Sequence, residues 1–68
     1  MRNEAKKLAV DEIMNIYKNR PKKIELIVDA LGQVGGKDAI EAILSIFKEN
    51  PHKRDMIIHA LGKAGKNS

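Results

Sequence analysis

Apolar and polar positions alternate along this chain with a period near 3.6 residues. Leu8, Ala9, Val10, Ile13, Met14, Ile16 and Tyr17 fall on one broad side of a helix, and Asp11, Glu12, Asn15 and Lys18 fall opposite. This predicts an amphipathic helix over 3–19. Asn3 is suited to cap it, with Glu4 near its positive end. It should stop at Asn19-Arg20, because Pro21 disfavours helical geometry in the residue before it. Ile24, Ile27, Val28, Leu31 and Val34 recur at i, i+3, i+4, i+7 and i+10. They predict a second helix over 21–34, with Pro21 in its first turn. Gly35-Gly36 ends it, Gly35 being suited to a left-handed cap. Asp38 and Glu41 form a D-x-x-E capping arrangement ahead of Ile40, Ile43, Leu44 and Phe47, a third helix over 38–50. Asn50-Pro51 breaks that helix. Met56, Ile57, Ala60, Leu61 and Ala64 mark a fourth over 51–64, closed by Gly65. The expected fold class is all-α.

The same pattern occurs twice. Residues 9–38 laid over 39–68 match at Ile13/Ile43, Ile16/Ile46, Pro21/Pro51, Ile27/Ile57, Ala30/Ala60, Leu31/Leu61, Gly32/Gly62 and Gly35/Gly65, among others. Small, apolar and turn positions are held while surface positions vary, as expected of two copies of one packing unit. The single domain 1–68 therefore divides into repeat one, 3–36, and repeat two, 37–68. Gly32 within a helix costs about 1 kcal/mol relative to alanine. A close approach by a neighbouring helix, helped by Ala30, is the expected compensation. In this register Ser68 falls where Asp38 falls, at the cap of a further helix. Helix-pair repeats bury their apolar faces by stacking, and neither end has a polar capping repeat. The end faces are expected to be covered, by a longer stack or by self-association.

The segment Pro-x8-Ala-Leu-Gly-x-[apolar]-Gly, twice at a thirty-residue period after an amphipathic helix, resembles the short HEAT-like repeats also found in phycobilin lyases. The resemblance spans residues 9–68. It implies an α-solenoid of stacked antiparallel helix pairs whose second helices line a concave surface. Two features depart from it. Val-Arg-Arg usually follows the proline, whereas here the copies read Lys23-Ile24-Glu25 and Lys53-Arg54-Asp55, so only Arg54 keeps the pattern. The second helix is usually alanine-rich, but here it carries Leu26-Ile27-Val28 and Met56-Ile57-Ile58. That bulk favours a tight oligomer, with a homodimer as the simplest form. Likeness of a repeat does not transfer lyase activity.

Length and composition narrow the function. A chain of 68 residues makes one domain at most, and a core this small sits near the entropy cost of ordering the chain. With no cysteine there is neither a disulfide nor a thiolate ligand. No apolar run reaches the ~20 residues that span a bilayer, and Met1-Arg2-Asn3-Glu4 leads into a charged helix rather than an apolar signal core. The chain reads as cytoplasmic, without membrane association. Thirteen Lys+Arg against nine Asp+Glu give a net charge of +4. The two signs are interspersed, so a mixed soluble surface is the plainer reading.

Leu26 and Met56 are equivalent residues lying off the main stripes of the second helices, and they mark a contact for a protein partner or a second copy. The expected protein-binding set is Leu26, Asp29, Gln33, Met56, His59 and Lys63. The alternative is a weak, sequence-independent nucleic-acid surface on the inter-helix turns, made by Arg20, Lys22 and Lys23 with His52, Lys53 and Arg54. No aromatic residue interleaves these charges, so they would read phosphates rather than stack bases. His52 and His59, either side of Asp55, lie about 10.5 Å apart along a helix axis, too far for one helix to bind a metal with both. Tyr17 and Phe47 are equivalent and at core spacing. The two serines stand in no nucleophile motif, and no phosphate loop follows a strand. The chain reads as a non-enzymatic interaction or scaffold module, with no metal, cofactor or small-molecule ligand.

Overall fold

The computed structural model describes residues 2–67, and the fold is all-α. Helix α1 spans Arg2–Asn19, α2 Ile24–Val34, α3 Gly36–Glu49 and α4 Arg54–Lys66. Single 3-10 turns, Pro21–Lys23 and Pro51–Lys53, join α1 to α2 and α3 to α4. The two turns are near copies in backbone as well as sequence. Arg20 and Asn50, each ahead of a proline, are extended at φ −138°, ψ 70° and φ −136°, ψ 61°. The proline ring excludes the helical conformation in the residue before it and supplies a fixed φ after it. Each turn is closed by one backbone bond, Lys23 N to Arg20 O and Lys53 N to Asn50 O.

Several ends differ from the sequence expectation. Pro21 and Pro51 open 3-10 turns, so α2 and α4 begin three residues later than expected, at Ile24 and Arg54. The backbone of Asn3 is already helical, so α1 begins ahead of it. Asp38 does not cap α3. Gly35 and Gly36 both take positive φ, 71° and 88°, and this pair turns the chain sharply enough for α3 to start at Gly36 without a side-chain cap. Gly35 combines its φ with ψ −179°, a glycine-only region rather than the left-handed helical cap expected. Asp38 sits inside the first turn of α3, where its charge favours the positive helix end. Gly65 does not close α4, which continues to Lys66. Ser68, the expected cap of a further helix, lies outside the described residues.

The helices form two layers, α1 beside α3 and α2 beside α4. Helices α2 and α3 each touch all three others, while α1 and α4 do not touch. Leu31, Ile43, Ile46, Ile57 and Val28 are fully enclosed, and no polar or charged residue is buried among the described residues. The expected close approach is present at Gly32. A methyl group there would lie 3.2 Å from the Ala60 carbonyl oxygen and 3.4 Å from the Lys63 side chain. Past the end of α4, Asn67 donates through Nδ2 to the Gly32 carbonyl, and its own carbonyl accepts from Lys6 Nζ. On the other layer Tyr17 is buried. Its hydroxyl donates to the Glu49 carboxylate and accepts from Asn50 Nδ2. Burial first, then the bond to Glu49, raises the phenol above its ordinary pKa, with Asn50 opposing. Phe47, at the equivalent position in repeat two, has no hydroxyl to pair. Among the described residues no helix is long and apolar enough to cross a membrane.

Two equivalent glycines should respond oppositely to alanine. At Gly35 a Cβ would meet Asn67 at 2.6 Å in a backbone region that L residues avoid. Gly35→Ala should cost at least about 2 kcal/mol and lower Tm by about 8 °C or more. At Gly65 the surroundings are open and the backbone is helical, so Gly65→Ala should add about 0.5–1 kcal/mol. Thermal unfolding followed by circular dichroism reads both.

Candidate functional site

A groove of about 630 Å³ runs between α2 and α4, lined by Glu25, Leu26, Asp29, Met56, His59, Ala60 and Lys63. Its position follows from the helical period. On α2 the core stripe takes Ile24, Ile27, Val28 and Leu31, so Glu25, Leu26 and Asp29 face outward. On α4 the core takes Ile57, Ala60 and Ala64, which leaves Met56, His59 and Lys63 at the edge facing α2. Leu26 is 64% exposed, one of the largest apolar exposures in the molecule. Met56 is half-buried beside it.

The groove has an apolar floor and a polar wall. Lys63 Nζ and Asp29 Oδ1 form a salt bridge at 3.1 Å, and Gln33 Nε2 donates to Asp29 Oδ2 at 3.0 Å. Both carboxylate oxygens are therefore engaged. The Lys63 hydrogen bond and charge, with a smaller contribution from Gln33, hold the Asp29 carboxyl below its ordinary pKa. The pair is solvated, so it orients side chains more than it stabilises the fold.

Of the six residues expected to bind a partner, Leu26, Asp29, Met56, His59 and Lys63 line this one groove. Gln33 lies outside the lining and acts through Asp29. Glu25 and Ala60 join the lining without having been singled out in the sequence, and the Asp29–Lys63 pair was not anticipated either. A signal for the pair exists. Lys63 is one helical turn beyond His59, the repeat equivalent of Asp29, so charges offset by thirty-four positions face each other across stacked second helices. The basic set falls elsewhere. Lys22, Lys23, His52 and Lys53 belong to the two 3-10 turns, flanked by Arg20 and Arg54. Because like helices are neighbours, both turns lie on one edge of the slab. His52, Asp55 and His59 do not converge: no group of three His, Cys, Asp or Glu among the described residues is placed to hold a metal ion.

Comparisons with known proteins give no relative: no family model, no curated protein and no solved structure matches this chain.

The lowered Asp29 pKa has a definite sign. A carboxyl held below its unfolded value contributes stability that is present above that value and is lost as pH falls through the folded one. The Asp29 carboxyl resonance should titrate below the ordinary aspartate midpoint. In Lys63→Met the midpoint should move up toward it. An unmoved midpoint would show that Lys63 does not set the Asp29 charge.

Proposed function

We propose that this chain is a HEAT-like helical-repeat module whose work is to bind another protein through the α2–α4 groove. The observation that supports this reading is the meeting of exposed Leu26 with Met56 on the floor of one cleft, walled by charges of both signs. The apolar floor offers an anchor point, and methionine adapts its shape to varied occupants. Glu25 and Asp29 on one side and His59 and Lys63 on the other select for orientation through charge. The occupant this chemistry suits is a short amphipathic segment with one or two apolar anchors and flanking charges, laid along the groove. The repeated Ala-Leu-Gly-x-[apolar]-Gly segments and the side-by-side helix pairs support the HEAT-like assignment. A cysteine-free chain with a mixed charged surface fits a cytoplasmic module. The reading assigns no covalent chemistry to the chain.

A displayed library of random peptides tests this. Peptides with apolar anchors and flanking charges should be enriched. Leu26→Asp combined with Met56→Asp should weaken their binding by at least about a hundredfold, since a buried anchor is typically worth 2 kcal/mol or more. Helicity should be kept, because Leu26 is exposed and Met56 packs only at the edge of the core without being enclosed by it. Undiminished binding by the double variant would remove the groove from this role.

The single basic edge favours one further reading, weak sequence-independent binding of nucleic acid. It predicts binding of duplex DNA at ~50 mM salt that falls steeply as salt rises. Converting Lys22, Lys23, Lys53 and Arg54 to glutamate should abolish it. No binding at low salt would dismiss it.

A further inference from the structure

Residues related by the thirty-residue repeat differ in exposure, and the differences have a direction. On the second helices, Val28 is 1% exposed while its equivalent Ile58 is 62% exposed. On the first helices, Ile46 is fully buried while its equivalent Ile16 is 49% exposed. The differences sort into two faces. Repeat one uses Val10, Met14, Val28 and Gly32 against repeat two, and the same positions in repeat two, Ile40, Leu44, Ile58 and Gly62, are more exposed. Conversely, repeat two buries Ala39, Ile43 and Ile46, and the same positions in repeat one, Ala9, Ile13 and Ile16, are open to solvent to different degrees. Each open face is therefore built like one half of a junction that the molecule already contains. A methyl group at Gly32 would press on α4, whereas at Gly62 it would meet nothing within 4 Å.

We propose that a second copy of this chain stacks head to tail, its Ile16 face on the Ile58 face of the first, reproducing the internal junction between copies. The occupant follows from the register. The internal junction places Ala60, Lys63 and Asn67 against Asp29 and Gly32, through the salt bridge, the close approach and the Asn67 bond to the Gly32 carbonyl. Thirty residues earlier in the incoming copy stand Ala30, Gln33 and Lys37. The first is equally small, and the other two keep a hydrogen-bond donor at each place. They would meet His59 and Gly62. The faces also carry charges of opposite sign: Glu12 stands where repeat two has buried Ala42, and Arg54 where repeat one has buried Ile24. Leu8 takes no part, because its equivalent, Asp38, is itself exposed. The junction is heterologous, so it leaves one face free at each end and permits addition of further copies. By the same register Met56 and His59 of one copy would come beside Leu26 and Ala30 of the next, so the junction borders residues of the α2–α4 groove, but it rests on the two end faces and not on the function proposed for that groove.

Sedimentation equilibrium on the 68-residue chain and two single variants tests the stacking. The unaltered chain should associate with rising concentration. Ile16→Asp and Ile58→Asp each block one face, and each alone should weaken association by at least about a hundredfold. An equimolar mixture should form a one-to-one dimer and nothing larger, because one intact face of each kind remains. If either variant loses helicity alone, the mixture should regain helicity and mass together. A chain that stays monomeric at millimolar concentration overturns the proposal. So does association retained by either single variant, which would mean a face pairing with itself, or a mixture that forms no dimer.

Discussion

How closely α4 can lie against α2 is decided at Gly32, where the space for a side chain is already taken by the Ala60 carbonyl and the Lys63 stem. A larger residue would push the helices apart. The groove floor would then widen between Leu26 and Met56, Asp29 would draw away from Lys63, and Asn67 would lose the Gly32 carbonyl. A glycine inside a helix is unfavourable by about 1 kcal/mol relative to alanine, yet here it permits the contact that positions the whole second-helix layer. Local helix preference and tertiary packing disagree at this residue, and packing decides.

The core and the polar ties have separate roles. Every fully enclosed side chain is aliphatic, and burial of that kind is strong but indifferent to register. Register comes from a few directional bonds at the rim. Tyr17 to Glu49 and Asn50 fixes α1 against the end of α3, while Asn67 and Lys63 fix α4 against α2. These bonds are partly or fully solvated and individually modest. Their value lies in choosing one alignment among several that the aliphatic core would accept.

Much of this was legible in the chain because a thirty-residue period and a 3.6-residue period coincide. Ile24, Ile27, Val28 and Leu31 all fall in the core that their spacing predicts, and Leu26, off that stripe, reaches the surface, while Met56 is half-buried against the core. What resisted reading depends on atoms brought from distant positions. The expected Asp38 cap is replaced by two glycines at positive φ, a backbone choice that side-chain patterns do not reveal. Gly65 matches Gly35 by sequence, but Gly35 turns the chain under the crowding of Asn67 while Gly65 has open space and stays helical. Identical residues in identical motifs thus took different conformations. The Tyr17 bonds were hidden for the same reason, since spacing marks an aromatic residue as buried but does not show where its hydroxyl goes.

The lack of contact between α1 and α4 bears on how the chain reaches this arrangement. The helix packing joins elements that are neighbours in order or one element removed, so packing the helices never requires the first and last to meet. Closing a loop costs entropy that grows with its length, and topologies dominated by nearby contacts fold in microseconds to milliseconds. Either helix pair can form around its own proline turn before the other exists. During synthesis, α1 and α2 can therefore pair as soon as they emerge, giving α3 a preformed surface on which to condense.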